Sequence, residues 1–475
     1  MGAALGTAVA LALPVWAGLP AAPAYAADAV AHDDFDGDGY HDLAVSHPLA
    51  TVNGHAGAGV VVVLYGSANG LSTARSTVVS QASPGVPGAA EEGDRFGTAT
   101  ASADLDRDGY ADLIVGSPAE AAGGVAERGS ATVVWGGPGG LSGGAELGAG
   151  TIAADDCGYG GTVAAGDHDG DGAPDVTVGS RCATHRYEGP FTRAGAAAAH
   201  AVDAEEPPAG RPVLTLFGDV DGDGAAERVS LPGPAADDPG GAVWVDDWRA
   251  NGTVRTALTA AEGLTGAIGD VDGDGYGDLV IGDPQDPLGT RPTGRSGGEI
   301  TVWYGGPGGI DPAQSPTRLW QGSNGLPGTS EADDAFGTSV GVGDADGDGY
   351  ADVAVGLPGE DLGTVQEAGS VIVLSGTADG LTGRGARSFN QGVAGVSGAP
   401  EYWDLFGERV RLADHDGDGR ADLTVGVPGE NAEGCLWLAP GGASGPAVDG
   451  SSGICSGSLP GYTADGPGFG EVIAP

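Results

Sequence analysis

The chain has 475 residues, with 66 Asp or Glu against 19 Arg or Lys, for a formal charge of −47 at pH 7. All the basic residues are arginines, dispersed singly, which excludes a nucleic-acid surface, where clustered cations must neutralise phosphates, and makes an anionic membrane surface an equally poor partner. Gly fills 94 positions and Pro 31, with no collagen period, yet 40 % of the chain is apolar, so a packed core of short strands and turns is expected rather than long helices, which lose about 1 kcal/mol for each interior glycine.

Residues 1–26 read as an export signal. An apolar run from Ala3 to Leu19 precedes Ala24-Tyr25-Ala26, a small-x-small cleavage pattern, although no Lys or Arg stands before the run. The expected mature chain is therefore 27–475. No later segment reaches the ~18 to 20 apolar residues of a membrane span, so the expectation is a secreted, extracellular monomer, free or associated with the cell surface. Four cysteines in an exported chain suggest two disulfides, and proximity favours Cys157 with Cys182 and Cys435 with Cys455 among the three connectivities. A metal or redox pair is disfavoured, because no C-x-x-C occurs and no His lies close enough to complete a zinc set.

From residue 34 onward one pattern recurs seven times: an acidic loop D-x-D-x-D-G-x-x-D followed by a short alternating apolar run. Carboxylates at positions 1, 3, 5 and 9, a glycine at 6 for the sharp turn and a carbonyl at 7 wrap a hard cation at calcium's preferred spacing. The expected ligands are Asp34, Asp36, Asp38, Tyr40 and Asp42 in the first loop, and Asp104, Asp106, Asp108, Tyr110 and Asp112 in the second. The third offers Asp167, Asp169, Asp171, Ala173 and Asp175; the fourth offers Asp219, Asp221, Asp223, Ala225 and Glu227. The fifth has Asp270, Asp272, Asp274, Tyr276 and Asp278, and the sixth Asp344, Asp346, Asp348, Tyr350 and Asp352. The seventh has Asp414, Asp416, Asp418, Arg420 and Asp422.

About one Ca2+ per loop, up to seven, is expected. Position 12 of an EF-hand would be a bidentate Glu; here the sixth loop has Val355. Magnesium is disfavoured because it keeps its waters and wants fewer, more rigid ligands. The plainer alternative, that Asp and Gly merely form turns, leaves seven clusters of four acids to repel one another without compensation. His168 and His415 occupy position 2, expected to point outward into solvent.

Period-two apolar alternation on both sides of each loop reads as strand, loop, strand. A third strand follows in most units, at 60–65, 131–135, 299–304, 371–374 and 435–438, and a weaker fourth such as 76–80. Four short antiparallel strands repeated seven times predict an all-β, seven-bladed β-propeller of four-stranded antiparallel blades. Both termini carry the same piece of the repeat, so the ring is expected to close by strand sharing, with either terminal segment able to fill the slot.

Phe96-Gly97, Phe336-Gly337, Phe406-Gly407 and Phe469-Gly470 precede loops or end the chain, and Gly356-Leu357-Pro358 and Gly426-Val427-Pro428 follow loops. These residues resemble FG-GAP repeats, the unit of the integrin alpha N-terminal propeller and of many secreted bacterial proteins. Tyr159-Gly160 replaces the pair in the third unit, and Arg211-Pro212 in the fourth. The resemblance implies a calcium-binding propeller scaffold of the kind used to bind protein or glycan ligands.

The functional expectation is an extracellular recognition or adhesion module, with a calcium-dependent hydrolase or polysaccharide lyase built on the propeller as the alternative. Three G-x-S-x-G strings, at 140–144, 294–298 and 337–341, lack the strand-to-helix elbow and supporting His and acid of a nucleophile site. No catalytic residue is assigned. Trp135, Trp303 and Trp437 fall in third strands and are expected in the core; Trp320 and Trp403, near loops, are better placed for a carbohydrate or peptide contact.

Overall fold

The computed structural model describes residues 32–121, 127–148, 158–181, 183–203, 212–232, 242–249, 252–287, 294–462 and 466–474. The export signal and the Cys157–Cys182 pair lie outside them. Seven four-stranded antiparallel sheets are present, and among the described residues the only helical pieces are three-residue turns at Glu430–Ala432 and Ser456–Ser458. The protein is a seven-bladed β-propeller.

Blade 2 shows the plan. Its strands Ala99–Ala103, Asp112–Ser117, Ser130–Trp135 and Ser142–Glu146 pair in sequence order, and its first strand touches the first strand of blade 3. The second and third strands are buried at every residue because each sheet is covered by a neighbour on both faces. Strand direction alternates, so all seven acidic loops lie at one end of the ring. Connections between second and third strands, and those from blade to blade, share the other end.

Blades 3 and 4 are complete despite their altered motifs. Blade 3 spans Thr162–Gly166 to Ala199–Asp203 and blade 4 spans Pro212–Gly218 to Gly252–Leu258. Tyr159 replaces phenylalanine as a buried ring, its hydroxyl held by Tyr187 at 2.7 Å. Arg211 lies outside the described residues.

The motif's glycines serve inter-blade packing. Gly356 in the second strand of blade 6 lies against the backbone of Gly407, which opens blade 7; a Cβ on Gly356 would fall 1.9 Å from the Gly407 carbonyl. Gly426 meets Gly470 in the same way, at 2.1 Å. The C-terminal segment thus takes the place of the first unit's missing Phe-Gly pair. Val472–Ile473 then pairs with Leu43–His47 as the first strand of blade 1, which decides the closure that the sequence left open. Cys435 and Cys455 face each other across the third and fourth strands of blade 7 and form a disulfide. Trp135, Trp303 and Trp437 are buried as expected.

Candidate metal centres

Each acidic loop leads into the second strand of its blade, in blades 2 to 7 directly from the first strand. The position 1 carboxylate shapes it: Asp34 Oδ1 accepts the N–H groups of Gly37 and Asp38 at 2.7 and 3.1 Å, and Oδ2 that of Gly39 at 2.8 Å. Position 9 ties the loop to the sheet, since Asp42 accepts Phe35 N–H and Gly66 N–H, both at 2.8 Å. The same double bond to position 2 and to the glycine after the third strand recurs at Asp112, Asp175, Asp278, Asp352 and Asp422. Glu227 reaches Val220 N–H at 2.8 Å with its longer side chain.

Ligand oxygens of positions 1, 3 and 9 come within 4.8 Å of one another in the first, third, fourth and fifth loops, as Asp34, Asp36 and Asp42; Asp167, Asp169 and Asp175; Asp219, Asp221 and Glu227; and Asp270, Asp272 and Asp278. In the second loop Asp104, Asp106 and Asp108 meet instead. Position 5 accepts the N–H of position 7, for example Asp348 from Tyr350 at 3.0 Å and Asp418 from Arg420 at 3.0 Å. In the sixth and seventh loops Asp344 accepts the N–H groups of Gly347 and Gly349, and Asp414 those of Gly417 and Gly419, as Asp34 does in the first.

Position 2 points inward, which corrects the expectation for the two histidines. His168 is buried beside Asp175, Nδ1 to Oδ2 2.5 Å, and packs against Trp248. His415 is buried with Nδ1 on the His41 carbonyl at 2.7 Å; burial and the nearby Arg411 charge push it down to about 4. The signal was in the sequence, since the other five position 2 residues are Phe35, Leu105, Val220, Val271 and Ala345, all apolar and buried.

The clusters resist full ionisation on their own. Burial, reinforced by neighbouring carboxylates, pushes Asp42 and Glu227 up to about 8, Asp112, Asp278 and Asp352 to about 7, and Asp272 and Asp422 to about 6, despite the N–H bonds that oppose it. Asp36 Oδ1 and Asp106 Oδ1 are buried without a hydrogen-bond partner. Arginines address the other oxygen of each: Arg75 bonds Asp36 and Asp38 at 2.7 and 2.8 Å, and Arg193 bonds Asp106 at 2.6 Å and also Asp108. An all-oxygen, anionic donor set with orphaned oxygens fits a hard divalent cation.

The loops also interlock, which sequence reasoning missed. The position 7 ring packs over the position 4 glycine of the preceding loop, so that a Cβ on Gly273 would fall 2.7 Å from Tyr350, and one on Gly417 2.8 Å from Tyr40. Position 8 N–H groups bond the preceding loop's position 1 carbonyl, as Ala351 to Asp270 at 2.9 Å. Where the second loop has Arg107 at position 4, the third has the small Ala173 at position 7.

The FG-GAP repeat family matches residues 26–64, 96–134, 263–303 and 336–374, four ranges that each contain one acidic loop. The chain is an FG-GAP β-propeller. Phosphatidylinositol-glycan-specific phospholipase D from Homo sapiens is 34 % identical over 150 residues, 31 % of this chain and 17 % of that protein. Integrin alpha-5 from Xenopus laevis is 34 % identical over 110 residues, 23 % of this chain and 9 % of its own length. The FG-GAP chain thus spans a small fraction of these curated relatives. An ancestral GH74 enzyme superposes on 89 % of this chain and 49 % of its own, with a TM-score of 0.47 at 12 % identity.

In the FG-GAP propeller none of the G-x-S-x-G strings opens a helix: 140–144 and 337–341 run from turns into strands, and 294–298 is a turn leading to the strand Glu299–Trp303.

Proposed function

We propose that the protein is an extracellular calcium-binding propeller acting as a recognition or adhesion module for protein or glycan ligands. The observation that carries it is the set of converging carboxylates at one end of the ring, of which the buried Asp42 and Glu227 hold protons up to about pH 8 unless a cation replaces them. Calcium in this reading is structural. It neutralises the loops, locks neighbouring blades through the interlock, and leaves the connections at the opposite end free to contact a ligand. The similarity to integrin alpha chains, over one blade pair's length, supports the recognition role.

Elemental analysis of the purified protein with thermal melts before and after EGTA tests the scaffold. Five to seven calcium ions per chain and a large fall in melting temperature are expected; no bound calcium and no shift would reject it. A second reading, a calcium-dependent hydrolase, draws on the similarity to the phospholipase D sequences. Product release on a glycan and protein array would favour it over binding without turnover.

A further inference from the structure

Three blade-to-blade connections have parallel sequences: Glu91-Glu92-Gly93-Asp94-Arg95-Phe96, Glu331-Ala332-Asp333-Asp334-Ala335-Phe336 and Glu401-Tyr402-Trp403-Asp404-Leu405-Phe406. In each the aspartate is buried and accepts the N–H of the leading glutamate at 2.6–2.7 Å. The residue before it is left-handed every time, with φ of +87° at Gly93, +71° at Asp333 and +70° at Trp403. Glycine and aspartate accept that conformation readily, whereas a bulky residue there is an outlier whose strain must be compensated by its surroundings or serve a function.

Trp403 compounds the cost by being exposed. It is 55 % accessible and Tyr402 is 65 % accessible, more than any other large apolar side chain described except Leu49, which equals Trp403. Folding gains little from either ring. Their planes are 20° apart with centroids 6.1 Å from each other. The backbone beneath them is fixed: Trp403 and Leu405 donate to the carbonyls of Gln366 and Glu367 at 3.3 and 3.2 Å, and Gly429 donates to that of Asp404 at 3.1 Å. The pair stands at the junction of blades 6 and 7, at the end of the ring away from the acidic loops.

We propose that Tyr402 and Trp403 form a stacking platform for a sugar ring that carries no negative charge. Near-parallel open rings present a flat, electron-rich surface to the C–H face of a pyranose. They do not form the angled walls that would enclose a lone cation. No strand edge is offered here for pairing with an extended peptide. The surrounding polar groups are Glu401, Gln366, Glu367 and Asp361, the last holding Glu367 N–H at 2.9 Å. They accept hydrogen bonds from hydroxyl or amino groups and repel carboxylate and sulfate. Arg409, the only arginine in the 390–409 connection, is paired with Glu408 at 3.3 Å.

The platform rests on the recognition reading, and the experiment separates the two. Calcium-loaded full-length protein is titrated calorimetrically with cellohexaose, mannohexaose, chitohexaose and deacetylated chitosan oligomers, with heparin and hyaluronan fragments as anionic comparisons. Binding of at least one uncharged or amino sugar is expected, weakened about tenfold or more by Tyr402→Ala and by Trp403→Gly. Trp403→Gly restores the residue of the parallel loop, so its melting temperature should equal or exceed the parent's. Absence of binding to every non-anionic sugar, preference for the anionic fragments, or unchanged affinity in Trp403→Gly each overturns the platform. So would a dimer of the parent that Trp403→Gly dissociates, since the rings would then cover a second copy. Release of shorter sugars during titration would instead overturn the recognition reading while leaving the platform in place.

Discussion

Arg411, in the first strand of blade 7, donates its guanidinium to the carboxylate of Asp33, 378 residues earlier, and its Nη1 to the Ala474 carbonyl at 3.1 Å. His41 Nδ1 meets the other Asp33 oxygen at 2.6 Å. Both ends of the described chain are thus pinned to the last blade beside the two-residue closing strand. Burial would raise the Asp33 carboxyl, but Arg411, His32 and His41 together hold it well below the usual range. Arg411→Met should cost about 3–5 kcal/mol because it strands a buried charge, and Asp33→Leu/Arg411→Met should recover most of that. Urea denaturation of the two variants checks both numbers. Because the Asp33 value is depressed, its contribution is present above the unfolded value near pH 4 and is lost only far below that.

Removing calcium should remove much of the protein's stability. At about 1 mM calcium a loop with a dissociation constant near 0.1 mM contributes roughly 1.4 kcal/mol, and seven loops about 10 kcal/mol, comparable to a whole domain. The pH dependence has a defined sign. Asp42, Asp112, Glu227, Asp278, Asp352 and Asp422 titrate at about 6 to 8 in the ion-free fold against about 4 when unfolded, so that fold binds more protons and its stability falls as pH rises from 4 to 8. Melting temperature in EGTA should therefore decline across that window, and the gain on adding calcium should be larger at pH 8 than at pH 5.

The acidic loops were legible because all of their chemistry lies within nine residues, as at Asp344 to Asp352. Blade count followed from repetition of that local signal. Three features were not legible, and each needs a contact between distant residues. The inward turn of His168 and His415 depends on how the loop sits against its own sheet, although Phe35 and Val271 at the same position marked it as apolar. The packing of Tyr350 over Gly273 needs knowledge that consecutive loops touch. The use of Phe469-Gly470 to complete the ring required the geometry of Gly426, since either terminus carried enough of the repeat to fill the slot.

The interlock makes adjacent loops interdependent. Gly273→Ala places a methyl group 2.7 Å from the Tyr350 ring at a φ of +71° and should destabilise by about 2 kcal/mol through combined strain and overpacking. Calorimetric calcium titration should show weaker binding in both the fifth and sixth loops. The reverse change exists in the second loop, where Arg107 holds a φ of +60°. Arg107→Gly should stabilise by about 1 kcal/mol, read as a higher melting temperature.

At the end of the ring away from the acidic loops, an amide–carboxylate pair recurs at a spacing of 39 residues, buried at Gln81 to Glu120 and Gln391 to Glu430 and half-buried at Gln321 to Glu360 at 2.7 Å. Burial, with the charges of Asp94 and Glu91 adding to it, pushes Glu120 up to about 7, against the opposing bond from Gln81. Its folded value lies above its unfolded one, so Glu120 favours the fold below about pH 4 to 5 and progressively opposes it as pH rises toward 7. Glu120→Gln keeps an acceptor for the Gln81 amide and removes the charge. In saturating calcium the variant should be more stable than the parent by about 1–2 kcal/mol at pH 8 and equal to it near pH 4.5. Parallel chemical denaturation at the two pH values measures the difference, and an equal gain at both would mean that the carboxyl titrates as it does in the unfolded chain.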